Sequence, residues 1–460
     1  MSAAEEVSLA VPAPLPARTF FGQPPALGFL AFTEAWERFS YYGMTSLLVL
    51  YMSQALFMPA HIGDIAGFAA YRGMLESVFG RMSTLALASQ TYGLYTGFVY
   101  FTPLIGGWIA DRFIGRRNAV VAGALLMSGG HIAMAFDASF LLALFLLITG
   151  CGLLKGNIST QVGQLYAEDD AAGRTRGFSI FSMAINVGAV AGPLTCGLLA
   201  QLYGWHVGFG IAGLLMLFAL GTYLAGYRLL SETARCTAAR EPVAPLTTQQ
   251  KRAIGALIVV MLITIPHSIA FYQNSNIGFV WINAHIDRVV GGFTLPTAWF
   301  GAAVDSFISI ICVPFLFALW RWQGRHGGEP GEIAKIGIGA ALAAAANLVL
   351  AGAALLPGRV SPLWPLSYEI ILGVAFTWQW PTLLALVSRI APQRLKSTLM
   401  GAAFLTLFAA NMTIGRIGAL YEHMTPAQFW SMNAAIAATG ATLAFLLRKP
   451  LGRVLDERMQ

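Results

Sequence analysis

Apolar runs of roughly 20–30 residues, broken by short polar connections, fill almost the whole chain. A helix that crosses a bilayer needs about 20 consecutive apolar residues. The pattern predicts twelve such spans, near 27–52, 83–109, 118–137, 140–166, 178–203, 205–229, 254–283, 295–320, 333–356, 361–390, 396–421 and 426–447. Basic residues collect in alternate connections: Arg112, Arg116 and Arg117; Arg174 and Arg176; Arg228 through Arg252; Arg321 and Arg325; Arg394 and Lys396; and Arg448, Lys449 and Arg453 after the last span. Positive charge marks cytoplasmic loops, so both termini are expected on the cytoplasmic side of a cell (inner) membrane. The stretch 231–252 is the longest polar interruption and divides the spans six and six, as a transporter built from two rocking bundles requires. The expected division is a disordered tail at 1–25, a bundle at 26–230, a linker at 231–252, a second bundle at 253–448 and a tail at 449–460. Segment 53–82 is expected to hold irregular structure outside the membrane.

Composition agrees with that pattern. The 460 residues are 57% hydrophobic and only 11% charged, with a mean hydropathy of +0.66, where a soluble protein carries about 25% charged residues. The formal charge of +7 raises nucleic acid as a partner, but the basic residues lie in short loops between apolar runs and set topology instead. The first 25 residues hold Glu5, Glu6 and a single basic Arg18, which does not read as a cleaved signal peptide. Cys151, Cys196 and Cys312 fall in spans and Cys236 in a loop, without metal-binding or redox spacing. No cofactor, no metal site and no enzymatic chemistry are expected.

The polar residues inside the spans are the informative ones. Glu34, Glu37, Arg38, Tyr41 and Thr45 share one stripe of the first span. A charge at mid-bilayer costs about 2.5–3.5 kcal/mol on the most lenient scale and persists where it meets a partner or a water-filled cavity. Two carboxylates and one guanidinium leave a net charge of −1, which suits a site that takes up and releases a proton; a fixed packing contact is the alternative. Between the second and third spans, GGWIADRFIGRR places Asp111 among Arg112, Arg116 and Arg117, a charge set suited to latching helix ends at a gate. In the fourth span, Lys155 within CGLLKGNIS needs a carboxylate partner or an anionic ligand. With Arg38 it would form a cationic wall for a substrate carboxylate. Ser179, Ser182 and Asn186 form a polar stripe on the fifth span, suited to a ligand amine or to interhelical hydrogen bonds.

Taken together, EAWERFSYYG, GGWIADRFIGRR, CGLLKGNISTQVGQLY and FSIFSMAINVGA resemble the proton-dependent oligopeptide transporter family of the major facilitator superfamily. The resemblance implies an all-α membrane protein with twelve transmembrane helices in two six-helix bundles, moving di- and tripeptides with protons. It implies that Glu34 and Glu37 take part in proton coupling with Arg38, that Arg38 and Lys155 meet the peptide carboxylate, and that Asn186 helps to bind its amine. The second half departs from the family pattern. Tyr272 stands where the seventh helix usually has an acid, and Ala375 and Phe376 stand where the tenth usually has one. Glu369 lies about two turns earlier and is expected too near the membrane edge to substitute. Asp305 falls in the eighth helix, where the family usually carries an asparagine, and is the expected replacement site for the substrate amine; a cap near the membrane edge is its alternative.

Candidate substrate contacts are therefore Arg38, Tyr41, Tyr42, Lys155, Asn186, Gln273, Asp305 and Trp378. His131 and His267 are weaker candidates as proton relays, Trp281 and Trp380 as walls of side-chain pockets, and Pro314 and Pro381 as kinks. Expected partners are a short peptide or similar zwitterion, protons and the lipid bilayer, with no nucleic acid and a monomeric state. A non-peptide organic anion or amino acid as cargo, or a receptor that binds without transport, are the alternatives.

Overall fold

The structure is a computed structural model and describes residues 20–167, 170–230, 246–392 and 395–456. Cys236, Arg394, most of the 231–252 linker and the first 19 residues lie outside the described residues.

The first half contains α1 (Pro25–Tyr51), a short α2 (Phe68–Phe79), α3 (Thr84–Ile109), α4 (Arg116–Ala133), α5 (Phe140–Gln164), α6 (Ala171–Tyr203) and α7 (Trp205–Gly226). The second contains α8 (Thr248–Tyr272), a one-turn π-helix (Asn274–Gly278), α9 (Phe279–His285), a two-stranded hairpin (β1, Val289–Val290; β2, Phe293–Thr294), α10 (Ala302–His326), α11 (Glu332–Ala353), α12 (Leu363–Ile390), α13 (Lys396–Ala419) and α14 (Pro426–Asp456). With α8 and α9 read as one broken span, these are twelve long helices, six in each half, among the described residues. Nine are long and apolar enough to cross a membrane on length and composition alone. The other three are α1, α3 and α4: α1 contains three charges, α3 is rich in Tyr and Thr, and α4 opens on Arg116, Arg117 and Asn118.

Local chemistry sets several helix starts. Ser83 accepts the Ala86 N–H at 3.0 Å, and Asp170 accepts the Gly173 N–H at 2.7 Å, so α6 begins earlier than the expected 178. Thr247 and Gln250 form a reciprocal capping box that starts α8 within the expected linker. Three other expectations change. Segment 53–82 is partly helical, because Phe68 and Leu75 of α2 bury against the bundle. The tail at 449–460 is helical to Asp456, since Leu451, Val454 and Leu455 pack on Ile333 and Ile390. The expected disorder to residue 25 gives way at Phe20, whose ring covers Gly28, while Gln23 Oε1 accepts from Tyr166 Oη at 3.0 Å.

Helices in lipid associate through close packing rather than through the hydrophobic effect, and small residues bring the functional helices together here. A methyl group on Gly188 or Gly192 of α6 would overlap the carbonyl oxygens of Ala35 and Phe39 on α1. Buried Cys196 fills the next position against Gly43, so this thiol acts as small packing. Gly106 of α3 meets Gly152 of α5 backbone to backbone, and Thr102 Oγ1 bonds Ile148 O at 3.0 Å. These approaches bring α1, α3, α5 and α6 around one space.

The chain's first and last described helices start and finish at the same end of the bundle, the terminal end. At the far end the halves are in close contact. Ser83 Oγ bonds the Glu422 carboxylate, Arg416 Nη1 donates to Phe79 O at 2.9 Å, and Asn276 Nδ2 donates to Ser89 Oγ at 2.7 Å. Trp299 Nε1 donates to Leu194 O at 2.9 Å, and Gln201 Nε2 to Thr294 O at 2.7 Å. A methyl group on Gly93 would lie 2.6 Å from Asn411 O.

Candidate substrate cavity

A cavity of about 250 Å³ lies between the halves. Tyr41 and Tyr42 of α1, Tyr92 and Tyr100 of α3, Lys155 of α5 and Asn186 of α6 form one wall. Tyr272 of α8, Asn274 and Ser275 of the π-helical break, Asp305 of α10, and Phe376 and Trp380 of α12 form the other. Ser179 and Ser182, polar and exposed, continue the Asn186 stripe toward the terminal end.

Lys155 reaches the cavity because Gly152 lets α5 close on α3 three residues earlier. Its Nζ lies 4.7 Å from the Tyr100 ring centroid, and it makes no ion pair among the described residues. Tyr100 Oη in turn hydrogen-bonds Tyr272 Oη across the two halves at 2.9 Å. Tyr272, in place of an acid, therefore holds a neighbour of Lys155 instead of neutralising Lys155 itself. Asn186 Nδ2 bonds its own helix at Ser182 O, 3.1 Å away.

Arg38 is placed differently from the expectation. Its Nε lies 3.2 Å from Glu34 Oε1 and also donates to Glu37 Oε2, and all three side chains are at most 3% exposed. They lie behind the cavity wall, with the Arg38 guanidinium 5.3 Å from the Tyr41 ring centroid. Arg38 thus does not join Lys155 in a cationic wall; its charge is taken up by the two acids. One oxygen of each acid (Glu34 Oε2, Glu37 Oε1) and Arg38 Nη2 remain without a hydrogen-bond partner.

Asp305 lines the cavity one turn into α10, and its Oδ1 accepts from Ser306 Oγ at 3.2 Å. Two other candidates lie outside the cavity. Gln273 is fully buried and donates to Ile414 O at 3.1 Å, so it anchors the helix break to α13. Trp378 packs edge-on against Trp320 at 5.4 Å, on the opposite side of α12 from Trp380. The helical repeat distinguishes the two: Glu369, Gly373, Phe376 and Trp380 follow a 4-3-4 spacing on one stripe, and Trp378 falls off it. The same stripe was the available signal for Glu369. That residue is wholly buried, and its Oε2 accepts from Asn274 Nδ2 at 3.3 Å.

Of the charged loop, Asp111 pairs with Arg116 at 2.9 Å inside the amino-terminal half. Arg117 donates to Leu230 O at 2.9 Å and covers the Tyr227 ring, while Arg112 is exposed. His131 is buried with neither ring nitrogen hydrogen-bonded, which does not suit a relay, and His267 stacks on Phe271. Trp281 is fully buried against Trp430, away from the cavity. Among the described residues no group of three or more acidic, His or Cys side chains is arranged to hold a metal ion.

The profile of the POT family matches residues 117–247 and 239–432. A di-/tripeptide transporter of Lactococcus lactis subsp. cremoris is 27% identical over 514 residues, spanning 96% of this chain and 98% of its own. A peptide transporter of Yersinia enterocolitica is 30% identical over 520 residues, with 95% and 96% covered. The crystal structure of a peptide transporter POT in complex with sulfate superposes with a TM-score of 0.83 at 25% identity, covering 96% of this chain and 98% of that one. A POT family transporter in complex with 5-aminolevulinic acid shares the fold, with a TM-score of 0.80 at 22% identity over 95% and 99%. The two-bundle, twelve-helix architecture is thus the major facilitator fold of these transporters, the cavity lies between its bundles, and the chain belongs to the POT family.

Proposed function

We propose that this protein is a proton-coupled symporter that imports di- and tripeptides, or zwitterions of similar size, across a cytoplasmic membrane by alternating access, with both termini in the cytoplasm. The observation that carries the reading is the charge arrangement of the cavity: an ammonium without an ion pair among the described residues on one wall (Lys155) and a carboxylate on the other (Asp305). A short peptide presents the complementary pair, a carboxylate at one end and an ammonium at the other. Its carboxylate would meet Lys155 and its amine Asp305 and Asn186, so the ligand itself would bridge the two halves. Tyr41, Tyr42, Phe376 and Trp380 offer apolar surface for side chains of varied size.

With the termini in the cytoplasm, the far-end contacts would close the outer side of the cavity, and rocking would break them. Glu34, Glu37 and Arg38 supply the coupling site. With one guanidinium between two acids and one orphan oxygen on each, the cluster becomes neutral when it takes one proton. Inward movement of that proton through 100 mV supplies roughly 2.3 kcal/mol. The Asp111–Arg116 pair would latch the cytoplasmic face in the opposite state. Uptake of labelled dialanine into proteoliposomes with an inward proton gradient tests the reading. Wild type should accumulate the peptide, and Glu37→Gln should exchange it without accumulating it. Absence of both accumulation and exchange in folded wild type would reject peptides as the cargo.

A further inference from the structure

Glu369 is wholly buried, and the cavity reading above gives it no role. Asn274, which donates to its Oε2, lines the cavity together with Asp305. One turn after Glu369 on the same stripe, Gly373 lets α12 close on α10 so tightly that a methyl group there would sit 2.9 Å from Asp305 O and 3.1 Å from Ile308 Cβ. Ser309 Oγ adds a 3.4 Å hydrogen bond to Gly373 O. Asp305 and Glu369 therefore stand on facing turns of α10 and α12.

Neither has a cation to offset it among the described residues. Lys335 pairs with Glu329, Arg389 with Glu332, and Arg416 binds Phe79 O, all away from the cavity. Glu369 has one hydrogen bond, from neutral Asn274, and its Oε1 has none. The titratable groups that face the pair are Tyr368 on α12, Tyr272 on α8, Tyr42 on α1, Tyr92 and Tyr100 on α3, and Lys155 on α5 across the cavity. Five of these are phenols. Only Lys155 is a cation, and it stands on the opposite wall.

Two carboxylates on facing turns, Glu369 wholly buried and Asp305 lining the cavity, disfavour one another's ionised form where no counter-charge is paired with them. We propose that Asp305 and Glu369 hold one proton between them in the empty cavity and release it to cavity water when a ligand ammonium arrives at Asp305. This rests on the reading of the cavity as a zwitterion site and names what makes it select a free amino group. Glu369 is a positioning residue here: it acts through Asp305 and does not touch the ligand. The pair restores to the second half the two-acid chemistry that Tyr272 and Phe376 remove, at different positions. Asn274 further ties it to the helix break, where Asn276 bonds Ser89 of the first half.

Infrared spectra of the purified transporter in lipid nanodiscs, titrated over pH, test this without and with ligand. Ligand-free wild type should show a protonated-carboxyl band near neutral pH that is lost in both Glu369→Gln and Asp305→Asn. Dialanine should remove the band from wild type, and N-acetyl-dialanine should leave it. Dialanine affinity should rise with pH by up to about tenfold per unit where the pair titrates, one proton being released, and this slope should flatten in Glu369→Gln. A band that survives in both variants, or an unchanged slope in Glu369→Gln, overturns the proposal. Should dialanine fail to bind wild type, the peptide reading fails while the ligand-free band still decides the proton pair. Should Glu369→Gln not fold, Asp305→Asn decides it.

Discussion

Each half of this transporter places two carboxylates at or behind the cavity wall, and the two halves handle them differently. In the amino-terminal half Glu34 and Glu37 lie on one helix with Arg38 between them, so the charges are settled by sequence neighbours before any ligand arrives. In the carboxy-terminal half Asp305 and Glu369 come from separate helices that close on one another at Gly373, with no basic side chain paired to either among the described residues. The first arrangement is compensated from within and suits a proton site that works with or without cargo. The second lacks a paired cation among the described residues and, on the proposed reading, would take one from the cargo. Lys155 reverses the logic on its own side: a cation that forms no ion pair among the described residues. A zwitterion spanning the cavity would meet both.

The largest break in that comparison is Arg38→Met. It leaves two buried carboxylates without their counter-charge, a situation that costs about 3–5 kcal/mol when one partner of a buried pair is removed. Transport should be abolished and the thermal midpoint should drop sharply, as read by unfolding of the purified protein; Arg38→Lys should recover part of the midpoint. Next are the glycine contacts that assemble each site. Gly192→Ala drives a methyl group into the Phe39 carbonyl and must part α1 from α6, for a loss of about 1–3 kcal/mol. Gly373→Ala meets Asp305 O at 2.9 Å, a milder conflict. It should lower stability less than Gly192→Ala while weakening binding of free-amine peptides, as measured by thermal shift and equilibrium binding. The smallest stability effect belongs to the partly exposed Asp111–Arg116 pair. Asp111→Asn should leave the thermal midpoint almost unchanged and slow uptake, which separates a gate latch from a structural contact.

Most of the fold was legible because bilayer crossing imposes a long apolar period on each helix. The charges of α1 and the lone lysine of α5 were legible for the same reason, since each breaks that period at a cost. What the chain alone could not convey was pairing between helices. Whether Arg38 faces cargo or its own acids depends on which side of α1 lies against α6, and that is set by Gly188 and Gly192 meeting Ala35 and Phe39. The choice between Trp378 and Trp380 depended on the cavity-facing stripe of α12, which a search for wide aromatic residues overlooks. The burial of Glu369 was not legible because the segments that cover the start of α12 are distant in sequence. There the hairpin and α9 of the second half fold over the start of α12, Ile286 pairing with Val360 and Asp287 N–H donating to Val360 O at 2.9 Å. The helical tail to Asp456 followed from Leu451, Val454 and Leu455, which a hydropathy window diluted with Arg448, Lys449 and Arg453.

The central claim, that one ligand bridges an unpaired cation and an uncompensated acid, is tested most directly by crossing ligand ends with cavity walls. Equilibrium binding of dialanine, its C-terminal amide and its N-acetyl form would be measured on wild type, Lys155→Gln and Asp305→Asn. Each charge-assisted contact is worth about 1.5–3 kcal/mol, roughly 10- to 150-fold. Amidation should weaken binding by that factor in wild type and have little further effect in Lys155→Gln, and acetylation should behave likewise with Asp305→Asn. Amidation and acetylation penalties that persist undiminished in the matching variants would contradict the account, because the ligand ends would then be recognised elsewhere.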